Sequence, residues 1–207
     1  KLKPSGIEWL GDIPEHWEVK KLKYVKSDEP NSFVDGPFGS NLKTEHFVEN
    51  GDVYVIDSGY ITSGKFELHR EFRTITDIHF KSIQRSECKE QDIILSKIGA
   101  NFGMSGILPI LDKPSVVSGN SLKLSVDKKY SVKYVHFSLL NLKYQGQIDL
   151  LVKGSAQPAL TLGLMNNLSI VAPSTKEQLD IVAFIEEQNN RIDNTLYKVQ
   201  KEIELLK

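Results

Sequence analysis

With 207 residues, 40% of them hydrophobic and 26% charged, the chain has the composition of a globular protein able to bury a real core, which excludes a disordered or disulfide-stapled one. A net charge of −1 argues neither for nor against a nucleic-acid partner, so the distribution of charge has to decide. The single cysteine, Cys88, excludes an internal disulfide and a Cys-rich zinc site, and with apolar runs too short to span a bilayer the expectation is a soluble, cytoplasmic protein.

Residues 6–25 open with Ile7, Trp9, Leu10 and Ile13, turn at Pro14, and continue through Trp17, Val19, Leu22 and Tyr24. These large apolar side chains predict a docked N-terminal arm followed by a strand. DGPFGSNL at 35–42 places two glycines and a proline around Phe38, which denies regular structure and predicts a shaped loop. DVYVI at 52–56 and the segment 59–61 read as short strands joined by a turn at Asp57 and Ser58, and 76–86 as a short helix. QDIILSKI at 91–98 is the clearest buried strand, and it runs out into Gly99, Ala100, Asn101, Phe102 and Gly103, a position where loops commonly carry function. Residues 106–111 and 116–126 are expected to continue that sheet. Val132, Val135, Leu139 and Leu142 mark an amphipathic helix, KGSAQP at 153–158 a polar loop, and 168–172 a last strand. Short mixed strands with few helices make the expected class α+β, with a mixed twisted sheet.

The segment 120–158 carries Lys123, Lys128, Lys129, Lys133, Lys143 and Lys153 against only Asp127 and Asp149. That stretch suits either phosphate contacts or an ordinary solvated face.

The last stretch is the most regular. Pro173 is followed by Ser174 and Glu177 in the spacing of a capping box, in which the two side chains satisfy free amides at a helix start. From there Val182, Ile185, Asn189, Ile192, Leu196, Val199, Ile203 and Leu206 alternate by three and four residues, the a/d repeat of a coiled coil. Such a helix is about 50 Å long at about 1.5 Å per residue, too long to bury its stripe on a small domain, so it needs a second helix. Lacking the β-branched-a, Leu-d recipe of a parallel dimer, the stripe favours an antiparallel or higher-order arrangement. Asn189, the polar residue in the seam, either fixes register or sits exposed where the stripe drifts. The expected division is therefore a globular domain over 1–172 and a dimerising spacer helix over 173–207.

Chemistry-bearing constellations are scarce. The histidines His16, His46, His69, His79 and His136 lack metal-ligand spacing, and the glycines around 99–106 lack the order of a dinucleotide loop. Asp77, Glu87 and Lys89 fit a permissive pattern of magnesium-dependent nucleases, in which carboxylates hold the metal and a lysine polarises phosphate or water. No metal site is expected otherwise.

GIEWLGDIPEHWEV at 6–19, GPFGSNLK at 36–43, QDIILSKIGANFG at 91–103 and above all GSAQPALTLGLMNNLSIVAPSTKEQLDIVAFIEEQNNRID at 154–193 resemble the DNA specificity subunits of type I restriction-modification enzymes. The resemblance implies a non-catalytic subunit that reads DNA and directs methylation and cleavage by partners. Members of that family usually carry two target recognition domains and two antiparallel helices between them, whereas this sequence has one of each. A homodimer through antiparallel helices, reading a split palindrome, is the natural expectation, with a fragment or a half subunit paired to a different half as alternatives.

The methyltransferase motifs N-P-P-Y/F and F-x-G-x-G are missing from the sequence. By the resemblance, S-adenosylmethionine would belong to modification subunits, and ATP and magnesium to partners that include the restriction and motor subunit. Double-stranded DNA would meet the loops: Ser40, Asn41 and Lys43; Ser58 and Tyr60; Lys97, Asn101 and Phe102; and Lys153, Ser155 and Gln157. Three classes thus stand side by side: a DNA recognition subunit, a nuclease using Asp77, Glu87 and Lys89, and a coiled-coil module that binds only protein.

Overall fold

A computed structural model of the chain describes residues 1–37, 39–154 and 158–206. The N-terminal arm is a hairpin of β1 (Leu2–Pro4) and β2 (Asp12–Pro14), followed by β3 (Glu18–Lys21) and one turn of 3-10 helix that buries Leu22. Two sheets then begin from β4 (Phe33–Asp35), β5 (Phe47–Val48), β6 (Val53–Ile56) and β9 (Arg73–Ile75), with β7 (Ile61–Thr62) and β8 (Lys65–Phe66) paired as a separate hairpin between β6 and β9 and helix α1 (Asp77–Ser82) after β9. They are completed by β10 (Glu87–Cys88), β11 (Ile93–Ser96), β12 (Ser105–Ile107), β13 (Ser115–Val117) and β14 (Ser121–Leu124). Helices α2 (Val132–Tyr144), α3 (Gln147–Leu150) and α4 (Leu162–Asn167), strand β15 (Ser169–Ala172) and helix α5 (Thr175–Leu205) follow.

The first sheet has the order β10-β13-β6-β9-β5 and the second β12-β11-β14-β4, while β15 pairs antiparallel with β3 and β7 with β8. Alternation of side chains along the strands stacks these into layers. Val53, Val55, Ile75 and Val116 of the first sheet pack with Phe80 and Ile83 from the α1 region. From its other face Ile56 and Val117 meet Ile94 of the second sheet. Ile93, Leu95, Leu122 and Leu124 then face Val135, Leu139 and Leu142 of α2, together with Met165, Leu168 and Ile170. Strand β11 is covered on both faces, which is why QDIILSKI is a continuous apolar run and not an alternating one. Each such fully buried Leu or Ile contributes about 1.5–3 kcal/mol by leaving water.

One expectation changes here. Strand β13 does not continue the sheet of β11 but pairs in parallel with β6, so the chain crosses between sheets in the turn at 118–120. The segment 59–61 likewise begins as a 3-10 turn, Ser58–Tyr60, because the Asp57 carboxylate accepts from Gly59 N at 2.7 Å.

Helix α2 is capped by Ser131, and its His136, buried between β12 and the β7–β8 turn, meets Ser105 Oγ at 3.1 Å and Gly64 O at 3.0 Å. Burial pushes the His136 pKa down. Helix α5 starts with the expected capping box of Ser174 and Glu177. Gln178 and Val182 are buried and Ile185 half-buried, but Asn189 and every described residue beyond it are exposed, including Ile192 (56%), Leu196 (54%), Val199 (46%) and Ile203 (50%).

Candidate nucleic-acid interface

Strand directions bring separate loops to one end of the sheets. Ser96, the last residue of β11, lies opposite Ser121, the first of β14, and Asp35, the last of β4, lies opposite Leu122. In the other sheet Ile56 and Val117, the last residues of β6 and β13, are parallel partners, and Arg73 opens β9 beside Val55. The segments 36–37, 39–46, 57–60, 97–104 and 118–120 therefore emerge together.

Backbone bonds lock this edge. Gly36 N donates to Ser121 O at 3.1 Å, Ser118 N to Ile56 O at 2.8 Å, Lys97 N to Asn120 O at 2.9 Å and Leu160 N to Lys97 O at 3.0 Å, the last tying in the chain after the 153–158 loop. Gly36 is needed for contact and not for a turn, since a Cβ there would lie 2.0 Å from Ser118 O. Asn101 Nδ2 reaches Ser58 O at 3.4 Å and His79 Nε2 meets Asn41 O at 2.9 Å, while the His46 and His79 rings stack at 3.9 Å.

The charge at this end follows one pattern, in which a carboxylate is shared by two cations. Asp57, whose side chain is 8% exposed, binds Arg70 Nη2 at 2.6 Å and Arg73 Nη2 at 3.1 Å. Asp35 binds Arg85 Nη2 at 2.9 Å and Lys97 Nζ at 3.6 Å. Each carboxylate is outnumbered, and the surplus is positive, as a polyanion requires. Two grooves share Phe47 and Arg73: one of about 510 Å³ lined by Pro37, Lys43 and Asn120 among others, and one of about 910 Å³ lined by Asn50, Tyr54, Arg70 and Lys113 among others.

The sequence-expected contact residues divide under this geometry. Ser40, Asn41, Lys43 and Lys153 are exposed, and Ser58, Asn101 and Phe102 half-buried, all on the segments just described. Phe102 packs against the α2 core with the Lys143 ammonium 5.2 Å from its ring centre, so it shapes its loop. Tyr60 is corrected: at 1% exposure it is a core residue, its hydroxyl donating to Glu71 O at 2.9 Å and its ring lying under Arg70. Lys97 is corrected too, for it is 7% exposed and paired with Asp35, and burial pushes its pKa down against the pull of that carboxylate. Ser155 and Gln157, like Phe38 and Lys207, lie outside the described residues.

The lysine-rich stretch is not one cationic face. Lys123 is buried against Asp92, Lys133 reaches Glu186 and Lys143 pairs with Asp149. Among the described residues no group of three or more His, Cys, Asp or Glu side chains could hold a metal ion; Asp77 pairs with Lys81 at 2.7 Å and Glu87 with Lys89 at 3.8 Å. Sequence reasoning read the turn at Gly119 and Asn120 but missed Arg70, Arg73 and Arg85. Their segments carry no periodicity, and only the pairing of β9 with β6 delivers the two arginines to this end.

The profile of a family described as type I restriction modification DNA specificity domain matches residues 33–205. The chain is 26% identical over 200 residues to the specificity subunit of the type I restriction enzyme MjaVIII from Methanocaldococcus jannaschii, covering 94% of this chain and 44% of that protein. Among solved structures it resembles a chain of a type I R-M system with TM-score 0.69 at 13% identity, over 94% of this chain and 42% of that one. It also resembles the HsdS subunit of Thermoanaerobacter tengcongensis with TM-score 0.62 at 12% identity, over 93% and 41%. The S subunit of M. genitalium aligns with TM-score 0.54 at 16% identity, over 89% and 42%. The chain thus spans less than half the length of these relatives.

Proposed function

Because the chain belongs to the family of type I restriction modification DNA specificity domains, we propose that it reads one half of a bipartite DNA target for partner subunits. The observation that carries this reading is the gathering of four loop segments, with carboxylates outnumbered by cations, at one end of the sheets. Lys43 and the hydroxyl of Ser40 would set the head on phosphates, and polar side chains such as Asn41 and Asn101 would face base edges. The head would be residues 1–172 and the spacer 173–207. We further propose that the chain is not itself catalytic, with S-adenosylmethionine, ATP and magnesium on the modification and restriction subunits.

The exposed seam of Ile192, Leu196, Val199 and Ile203 supports a second copy of the chain laid antiparallel along α5, which would hold two heads a fixed distance apart. Selection from a pool of randomised duplexes with the purified chain tests the proposal. An enriched motif in two separated blocks is expected; a pool that emerges without any enriched sequence refutes recognition.

A further inference from the structure

We infer that Arg70 and Arg73 are the residues through which this head recognises guanine, an inference that rests on the DNA-reading function above. Both guanidiniums are contacted by an aromatic ring and by a carboxylate. Arg70 lies 4.8 Å from the centre of the Tyr60 ring and Arg73 4.3 Å from that of Phe47, so each has an aromatic face beneath it. Both are gripped from one side by Asp57, Arg70 Nη2 reaching both carboxylate oxygens at 2.6 and 2.7 Å and Arg73 Nη2 one of them at 3.1 Å. Asp57 is in turn fixed by Gly59 N at 2.7 Å.

Among the described residues the hydrogen bonds of the two guanidiniums all run through Nη2, which leaves the Nε and Nη1 donors directed elsewhere. The side chains are 46% and 51% exposed; Arg70 lines the larger groove and Arg73 lines both.

This arrangement discriminates between two partners a guanidinium can take in DNA. A phosphate rewards net charge and tolerates many directions, and the shared Asp57 carboxylate offsets one of the pair's two positive charges. A guanine edge rewards two coplanar donors aimed at O6 and N7, and there the buttress costs little and removes wrong rotamers. The side-chain entropy is surrendered on folding and not on binding. The clamp therefore suits a base edge.

The test repeats selection from a randomised duplex pool with the wild-type chain and with Arg70→Lys, Arg73→Lys and Asp57→Asn, each checked by thermal melting, Arg70→Gln and Arg73→Gln replacing any lysine variant that melts early. The wild type is expected to enrich a motif containing guanine. In each arginine variant one guanine becomes degenerate, with discrimination at that position falling on the order of tenfold or more. Binding to duplex of unrelated sequence falls by no more than about twofold, and its salt dependence is retained. Asp57→Asn relaxes the same positions, as a positioning residue should. Arginine variants that enrich the unaltered motif, or that weaken all duplexes alike with a shallower salt slope, overturn the inference. A wild-type chain that enriches nothing sinks the recognition reading first, an outcome distinct from either of these.

Discussion

The indole Nε1 of Trp17 donates to Glu177 Oε1 at 3.0 Å, joining the N-terminal arm to the first turn of the long helix. His16 Nε2 donates to the same oxygen at 2.7 Å, and Ser174 N and Oγ to Oε2 at 3.1 and 2.7 Å. One carboxylate thus caps α5 and clasps it to the head. The β15–β3 ladder, Ala172 opposite Glu18, brings the two segments together.

Those donors, Trp17 foremost and then His16 and Ser174, hold the Glu177 pKa down at about 2 against an ordinary 4.5. A carboxyl whose folded pKa lies below its unfolded one stabilises the fold above about 4.5 and loses that contribution as pH falls through about 2. Glu177→Gln is therefore expected to melt below the wild type at neutral pH, and the gap to narrow as pH is lowered from about 4.5 towards 3. Melting curves in a pH series check it; a gap that stays constant contradicts the clasp.

Gln178, at 1% exposure, accepts from Ser131 N at 2.9 Å and donates to Pro173 O at 2.9 Å, tying the start of α2 to the start of α5. Gln178→Leu leaves an amide and a carbonyl without partners, which costs about 1–3 kcal/mol. Urea denaturation of the two proteins measures it.

The two lysines expected from sequence to touch phosphate should part company. Lys43→Ala, at an exposed position, is expected to weaken binding to every duplex and lower the salt slope by about one. Lys97→Ala is expected instead to lower the melting temperature, because it empties the space of a buried side chain paired with Asp35, while Arg85 still holds that carboxylate. Binding titrations at several salt concentrations, beside melting curves, separate the two effects.

Gly36→Ala forces a methyl against Ser118 O and Gly119 N, and both are backbone atoms that cannot swing aside. A loss of roughly 2–3 kcal/mol is expected. Because the displaced segments are those proposed to meet DNA, affinity for duplex should fall more than for an alanine placed elsewhere on the surface.

If a second copy covers the seam of α5, then Ile192→Asp with Leu196→Asp should leave the head folded and the chain monomeric. Both side chains are more than half exposed in the single chain, so intramolecular packing loses little. Sedimentation would report the change in mass, and an unaltered mass would show that the partner lies elsewhere.

What the sequence determined by itself was whatever a short period can encode. The capping box of Ser174 and Glu177, the three-four seam of α5, the apolar face of α2 and the doubly covered strand β11 all follow from which side chains recur on one side of one element. The loops at 36–43 and 97–103 were legible too, through their glycines. Tertiary structure decided which loops meet, that Tyr60 and Lys97 turn inward, and that Arg70 and Arg73 close on Asp57. Those outcomes depend on β9 lying against β6 and β13 crossing to the other sheet, pairings between distant segments that leave no periodic trace in either one.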